Sequence, residues 1–165
     1  MENLTVASRL ANLTFSLLAN CQEKEEHLAH LHELTQAEFR TLRLFGSRES
    51  INNKTIAERM RLSPSRLTRI IDGLVGKEYI ERQIDPDDRR NMRVNLSGKG
   101  HSLVAKLNKA YIDIHEEILQ DIDPSQHEQL ITAMTHLLEA LEKWLAKTEY
   151  SATVEAEAET ETEAS

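Results

Sequence analysis

The side chains best suited to chemistry lie in a few short runs. His27, His30 and His32, with Glu26 and Glu33 beside them, bring imidazoles and carboxylates close enough to suggest a metal site that His101 or His115 would complete. Ser97-Gly-Lys-Gly100 has the small residues and lysine of a phosphate loop, and Cys21 is the one thiol. None of these is supported by its surroundings. His115-Glu-Glu-Ile-Leu119 lacks the second histidine of a metalloprotease motif, and Ser97-Gly-Lys-Gly100 lacks the upstream glycine at Walker spacing. The histidines therefore read as surface and linker groups, and the Ser97 run as a strand-to-helix turn. Cys21 falls on an apolar helical stripe, where a cysteine behaves as an inert small hydrophobe. A single cysteine forms no intramolecular disulfide, and no repeated Cys/His spacing builds a structural zinc site. With no Ser/His/Asp order and no paired carboxylates in a supported framework, nothing positive points to an enzyme, and no cofactor is expected.

The elements that would position such groups are written in the apolar periodicity. Residues from about Asn3 to Leu28 set Leu10, Leu13, Leu17, Cys21 and Leu28 near one helical face. Thr35-Gln-Ala-Glu38 is a capping-box pattern and predicts a helix from Gln36 to about Phe45. Asn52 can cap a short helix from Asn53 to Met60, and Ser63-Pro64 opens the next with a serine cap and a proline where its missing N–H is harmless. In that second helix Leu67, Ile70, Ile71, Leu74 and Val75 form one stripe. Ser65, Arg66, Arg69, Asp72, Gly73 and Gly76 are turned away from it. One face packs and the other is free to touch something.

Tyr79 to Ile84 and Met92 to Leu96 have strand composition, with the turn formers Asp85-Pro-Asp-Asp-Arg-Arg-Asn91 between them, so a hairpin with a charged tip is predicted. Ser97 then caps a helix carrying Leu103, Leu107, Ala110, Ile114 and Ile118, and Asp123-Pro124 interrupts the chain. A last helix from Ser125 to about Lys147 presents Leu130, Ile131, Met134, Leu137, Leu138, Leu141, Trp144 and Leu145. That face is wide for a terminal element and points to a second subunit. The Ala/Thr/Val/Glu tail from Ser151 has too little apolar surface to offset its ordering entropy and is expected to be disordered.

The chain has 165 residues and a formal net charge of −8, which at first opposes a nucleic-acid partner. Resolved by segment, the charge says otherwise. Ile51 to Gly100 holds 11 Lys+Arg against 7 Asp+Glu, whereas Thr148 to Ser165 has six Glu and no base. No Lys/Arg-led apolar run opens the chain, and its least polar N-terminal stretch, Leu10 to Gln22, is broken by Asn12, Thr14, Ser16 and Asn20. A cytoplasmic protein without a membrane anchor is expected.

Leu62-Ser-Pro-Ser-Arg-Leu-Thr-Arg-Ile-Ile-Asp-Gly-Leu74 resembles the recognition helix of the MarR (multiple antibiotic resistance regulator) family. Lys77-Glu-Tyr-Ile-Glu-Arg82, Asp85-Pro-Asp-Asp-Arg-Arg90 and Val94-Asn-Leu-Ser-Gly-Lys-Gly100 resemble its wing and wing exit. The resemblance covers roughly residues 10 to 147. It implies a mainly α (α+β) fold: a winged helix-turn-helix domain at about 36–100 with a β-hairpin wing, plus dimerisation helices at about 3–28 and 98–147. Residues 1–150 would form a single domain and residues 151–165 an acidic tail.

For function, the resemblance implies a dimeric regulator, commonly a repressor, on a pseudo-palindrome in double-stranded DNA. Ser65, Arg66, Thr68 and Arg69 would face bases in the major groove, with Arg66 and Arg69 the foremost readers because Arg grips guanine bidentately. Arg90 or Arg89, oriented by Asp88, would enter a minor groove. Lys54, Thr55, Lys77, Arg82 and Lys99 would contact phosphates. A small aromatic ligand would fill a cleft lined by Leu17, Cys21, Phe39 and Leu103 and release the DNA. Related sequences often have Gly where Arg61 stands in the helix-turn-helix turn, so a left-handed backbone there would cost roughly 1–2 kcal/mol. A redox or metal sensor on the same scaffold is an alternative. However, the reactive cysteine of such relatives aligns near Thr14, and their paired fifth-helix ligands have no counterpart here. Another alternative is an architectural or partner-binding module using the acidic tail.

Overall fold

The computed structural model describes residues 5–84 and 92–163, of which 149–163 are described as helix backbone only. α1 (Val6–Leu31) starts where the Thr5 side chain accepts the Ser8 N–H at 3.2 Å, so it lies slightly later at both ends than the periodicity predicts. α2 (Gln36–Phe45) opens on the predicted capping box. Glu38 N–H donates to Thr35 Oγ1 at 3.2 Å, and Thr35 N–H donates to Glu38 Oε2 at 2.8 Å. β1 (Ser50–Asn52) leads directly into α3 (Asn53–Met60), where Asn52 Oδ1 accepts the Lys54 N–H at 2.7 Å.

α4 (Pro64–Gly76) has proline in its first turn as expected, but Ser63 makes no side-chain capping bond; its hydroxyl lies 3.4 Å from that of Ser65. The neighbouring hydroxyl takes the place of the helix amides as its partner. β2 (Ile80–Ile84) and β3 (Met92–Leu96) form the hairpin, and α5 (Gly98–Gln120) follows. Ser97 caps α5, accepting the Gly100 N–H at 2.9 Å.

The sheet is antiparallel in the order β1-β3-β2, with Ile51 opposite Val94 and Ile80 opposite Leu96. Its inward side chains meet Phe39, Leu42 and Phe45 of α2, Ile56 of α3, Ile71 and Leu74 of α4, and Leu107 of α5 in one core. This burial fixes the pitch of α4, because Leu67, Ile71 and Leu74 are its buried residues and its opposite face must then be outermost.

Three helices end in the same way, each on a non-glycine residue with left-handed φ: Glu33 (55°), Arg61 (50°) and Glu78 (64°). In each case the next N–H bonds back into the helix, Leu34 to Ala29, Leu62 to Ala57 and Tyr79 to Leu74, at 2.9–3.0 Å. These are Schellman closures. The residue after each turn packs into or against the core, which offsets the left-handed cost. The left-handed backbone expected at Arg61 is therefore present, and it is one of three.

The described residues fall into two compact units divided between Ile114 and His115. The apolar repeat of α5 runs on to Ile118, but burial stops earlier: Leu107 is fully buried and Ile118 is exposed. In the second unit a 3₁₀ turn (Pro124–Gln126) is capped by Asp123, whose Oδ1 accepts the Ser125 N–H at 2.8 Å, and α6 (His127–Glu163) follows. The helix as described runs past Lys147 to Glu163. Ala and Glu are strong helix formers, and no Pro or Gly follows Pro124 to break the run. No helix among the described residues is long and apolar enough to cross a membrane.

Candidate nucleic-acid interface

The exposed face of α4 is the best-defined site. Ser65, Arg66, Thr68 and Arg69 are all exposed, as the position of the apolar stripe requires. Among the described residues neither Arg66 nor Arg69 has an ion-pair or hydrogen-bond partner. At i, i+3 spacing the two guanidinium groups share one side of the helix. Thr68 Oγ1 donates to the Pro64 carbonyl at 3.0 Å, leaving its lone pairs available to a donor.

Asp72 continues this face, and its carboxylate is taken by the Arg82 guanidinium from β2. The pair ties the helix to the wing strand and offsets a negative charge that would repel phosphate. Of the expected phosphate contacts, Arg82 is thereby engaged. Lys54 is exposed near the start of α3, with only a loose 3.9 Å pairing to Glu58. Thr55 is half-buried beside it. Lys99 donates to the Lys77 carbonyl at 2.9 Å, lies 3.7 Å from the Glu78 carboxylate and sits 4.9 Å from the centre of the Tyr79 ring.

Lys77 is the most committed of the set. Its ammonium donates to Glu38 Oε2 at 2.7 Å and to the Glu33 carbonyl at 2.8 Å. Glu38 is buried, its side chain 6% exposed. Nothing in the local sequence announces this pairing, because its members are 39 positions apart. Asp72 and Glu38 are the residues that sequence reasoning missed as partners. The wing residues Asp88, Arg89 and Arg90 lie outside the described residues.

The four residues expected to line a ligand cleft differ in burial. Phe39 is fully buried and Leu103 is part of the core. Leu17 is exposed and Cys21 half-buried on α1. Nearby, the Arg43 guanidinium stacks 3.5 Å from the centre of the Tyr111 ring, and Lys24 lies 4.7 Å from it. His27 and His30 are exposed on α1 and His32 follows its last turn. Among the described residues, no group of three His, Cys, Asp or Glu side chains is placed to hold a metal ion.

A helix pair joined by a tight turn, followed by a hairpin packed on the same core and flanked by long helices, defines a winged helix-turn-helix protein. Residues 34–92 match the sequence model of the MarR family. It is 28% identical over 137 residues to the HTH-type transcriptional regulator SarZ of Staphylococcus haemolyticus, covering 79% of this chain and 90% of that one. Among solved structures it is similar to a MarR transcriptional regulator from Methanosarcina mazei Go1, with TM-score 0.71 and 22% identity over 81% of this chain and 96% of that one. It is also similar to Streptococcus pneumoniae FabT in complex with DNA, with TM-score 0.71 and 19% identity over 83% of this chain and 98% of that one.

Proposed function

We propose that this protein is a transcriptional regulator that binds duplex DNA as a homodimer, with α4 in the major groove. The observation that carries the reading is the pair Arg66 and Arg69, exposed and without partners among the described residues, on a helix whose opposite face is locked into the core. A guanidinium held at the surface without an internal partner retains its full hydrogen-bonding fork for a guanine edge or a phosphate. The likeness to FabT, solved in complex with DNA, supports DNA as the partner. Lys54 and the uncapped N-terminus of α4 supply sequence-independent phosphate contacts.

A two-fold dimer presents two such helices to half-sites about 34–36 Å apart, one turn of the duplex. Binding across a promoter represses it by occlusion. A small aromatic ligand that prefers a different spacing of the two heads relieves that repression by shifting the population away from the DNA-binding form.

The test is equilibrium titration of Arg69→Ala on a preferred site and on a random duplex. Loss of a base reader weakens the preferred site by about 1–3 kcal/mol and relaxes base preference at one position. Equal loss on both duplexes would overturn the assignment of Arg69 as a reader.

A further inference from the structure

A lysine just beyond a DNA-facing helix would ordinarily be taken as a phosphate contact, but the surroundings of Lys77 point elsewhere. Its ammonium is bonded to the buried Glu38 carboxylate and to the Glu33 carbonyl. Glu33 is the left-handed residue that ends α1, Glu38 belongs to the capping box that begins α2, and Lys77 immediately follows α4. One side chain therefore joins the ends of three helices. The Lys77 carbonyl in turn accepts the Lys99 ammonium from the first turn of α5. Space for the node comes from Gly73, where a Cβ would collide with Glu38 Oε1. Withdrawing Lys77 toward a phosphate would leave a buried carboxylate with, among the described residues, only the Thr35 N–H to satisfy it.

Resting on the DNA-binding reading, we infer that Lys77 and Glu38 are positioning residues that set the axial placement of the recognition helix against α1 and α2. They make DNA binding selective without either touching DNA. The placement matters because base-edge hydrogen bonds from Arg66 and Arg69 tolerate little displacement, whereas phosphate attraction is insensitive to it.

The two roles give opposite signs in one experiment. Glu38→Gln, Lys77→Gln and the double variant are titrated on a preferred duplex and on a random duplex across a range of salt concentrations. Glutamine at position 38 keeps an acceptor for the Thr35 N–H, so the capping box and the fold survive, and thermal unfolding checks this. The positioning role predicts that either single variant loses roughly tenfold on the preferred duplex, with the double variant no worse than the singles. It also predicts little change on random duplex and an unchanged salt slope.

A phosphate contact predicts that Lys77→Gln weakens both duplexes alike and lowers the salt slope by about one. It predicts that Glu38→Gln, which removes a negative charge, tightens binding or leaves it unchanged. Either of those results overturns the inference. A wild-type protein that prefers no duplex takes down the DNA-binding reading as well. One that prefers its site while Glu38→Gln leaves the preference intact takes down the inference alone.

Discussion

Arg66 and Arg69 were legible in the sequence because their surroundings are local: five apolar residues at helical spacing fix the buried face and hence the exposed one. The charges of Lys77, Arg82 and Lys99 were equally visible, but their partners were not. Those partners are a buried glutamate 39 positions away, an aspartate ten positions away and a backbone carbonyl 22 positions away. A sequence shows that a side chain is cationic; only the fold shows whether that cation is already spent. Lys77→Ala is accordingly expected to destabilise the protein by about 1–3 kcal/mol, because it strands a buried carboxylate, with the partial exposure of the lysine keeping the cost moderate. Urea denaturation checks this, and an unchanged midpoint would show the pair to be dispensable. The burial of the residues expected at a ligand lining was hidden for a related reason. Phe39 and Leu103 are apolar and correctly spaced, yet periodicity cannot distinguish a residue lining a cavity from one filling the core.

The helices were legible at the scale of elements because their signals are chemical and short-range. The Thr35/Glu38 box, the Asn52 and Ser97 caps and the Asp123-Pro124 break all act where the sequence places them. β1 was missed: one apolar residue, Ile51, between two polar ones carries no period, and the strand exists only because β3 pairs with it. The three left-handed closures give a prediction. Glu33→Gly removes the Cβ penalty while keeping the carbonyl that Lys77 uses, so the stability gain should be about 0.5–1 kcal/mol after the greater freedom of the unfolded chain is deducted. A higher urea midpoint at unchanged m-value confirms it; a lower midpoint shows that the left-handed turn is unstrained.

The cap at Asp123 gives another prediction at this scale. The Ser125 hydroxyl and then the Ser125 N–H, with a smaller contribution from His127, hold its carboxyl below the usual carboxylate range. Because the folded value is lower than the unfolded one, the stabilisation is present above the unfolded value and is lost as pH falls through the folded one. Carbon NMR of Asp123 should give a depressed midpoint that Ser125→Ala raises. An unshifted midpoint, or one indifferent to Ser125, contradicts the cap.

For the whole molecule, the informative feature is apolar surface left uncovered. Leu10, Leu13 and Leu17 on α1, and Ile131, Met134, Leu137, Leu138, Leu141 and Trp144 on α6, are exposed in the single chain. The sequence showed both stripes, and a second copy is what the proposed function places against them. Leu137→Arg with Leu141→Arg should therefore convert a dimer to monomer in sedimentation and weaken DNA binding; an unchanged mass would relocate the interface. Net charge acts at the same scale. Deleting 151–165 removes five of the 28 acidic residues and should tighten DNA binding modestly at low salt, with the gain fading as salt rises. A gain that ignores salt would mean that the segment acts by contact instead of charge. The most direct test of the account is a binding selection from random duplex DNA with the full chain. The predicted result is an inverted repeat with half-site centres about one helical turn apart; recovery of no preferred sequence, or of a motif without two-fold symmetry, would contradict it.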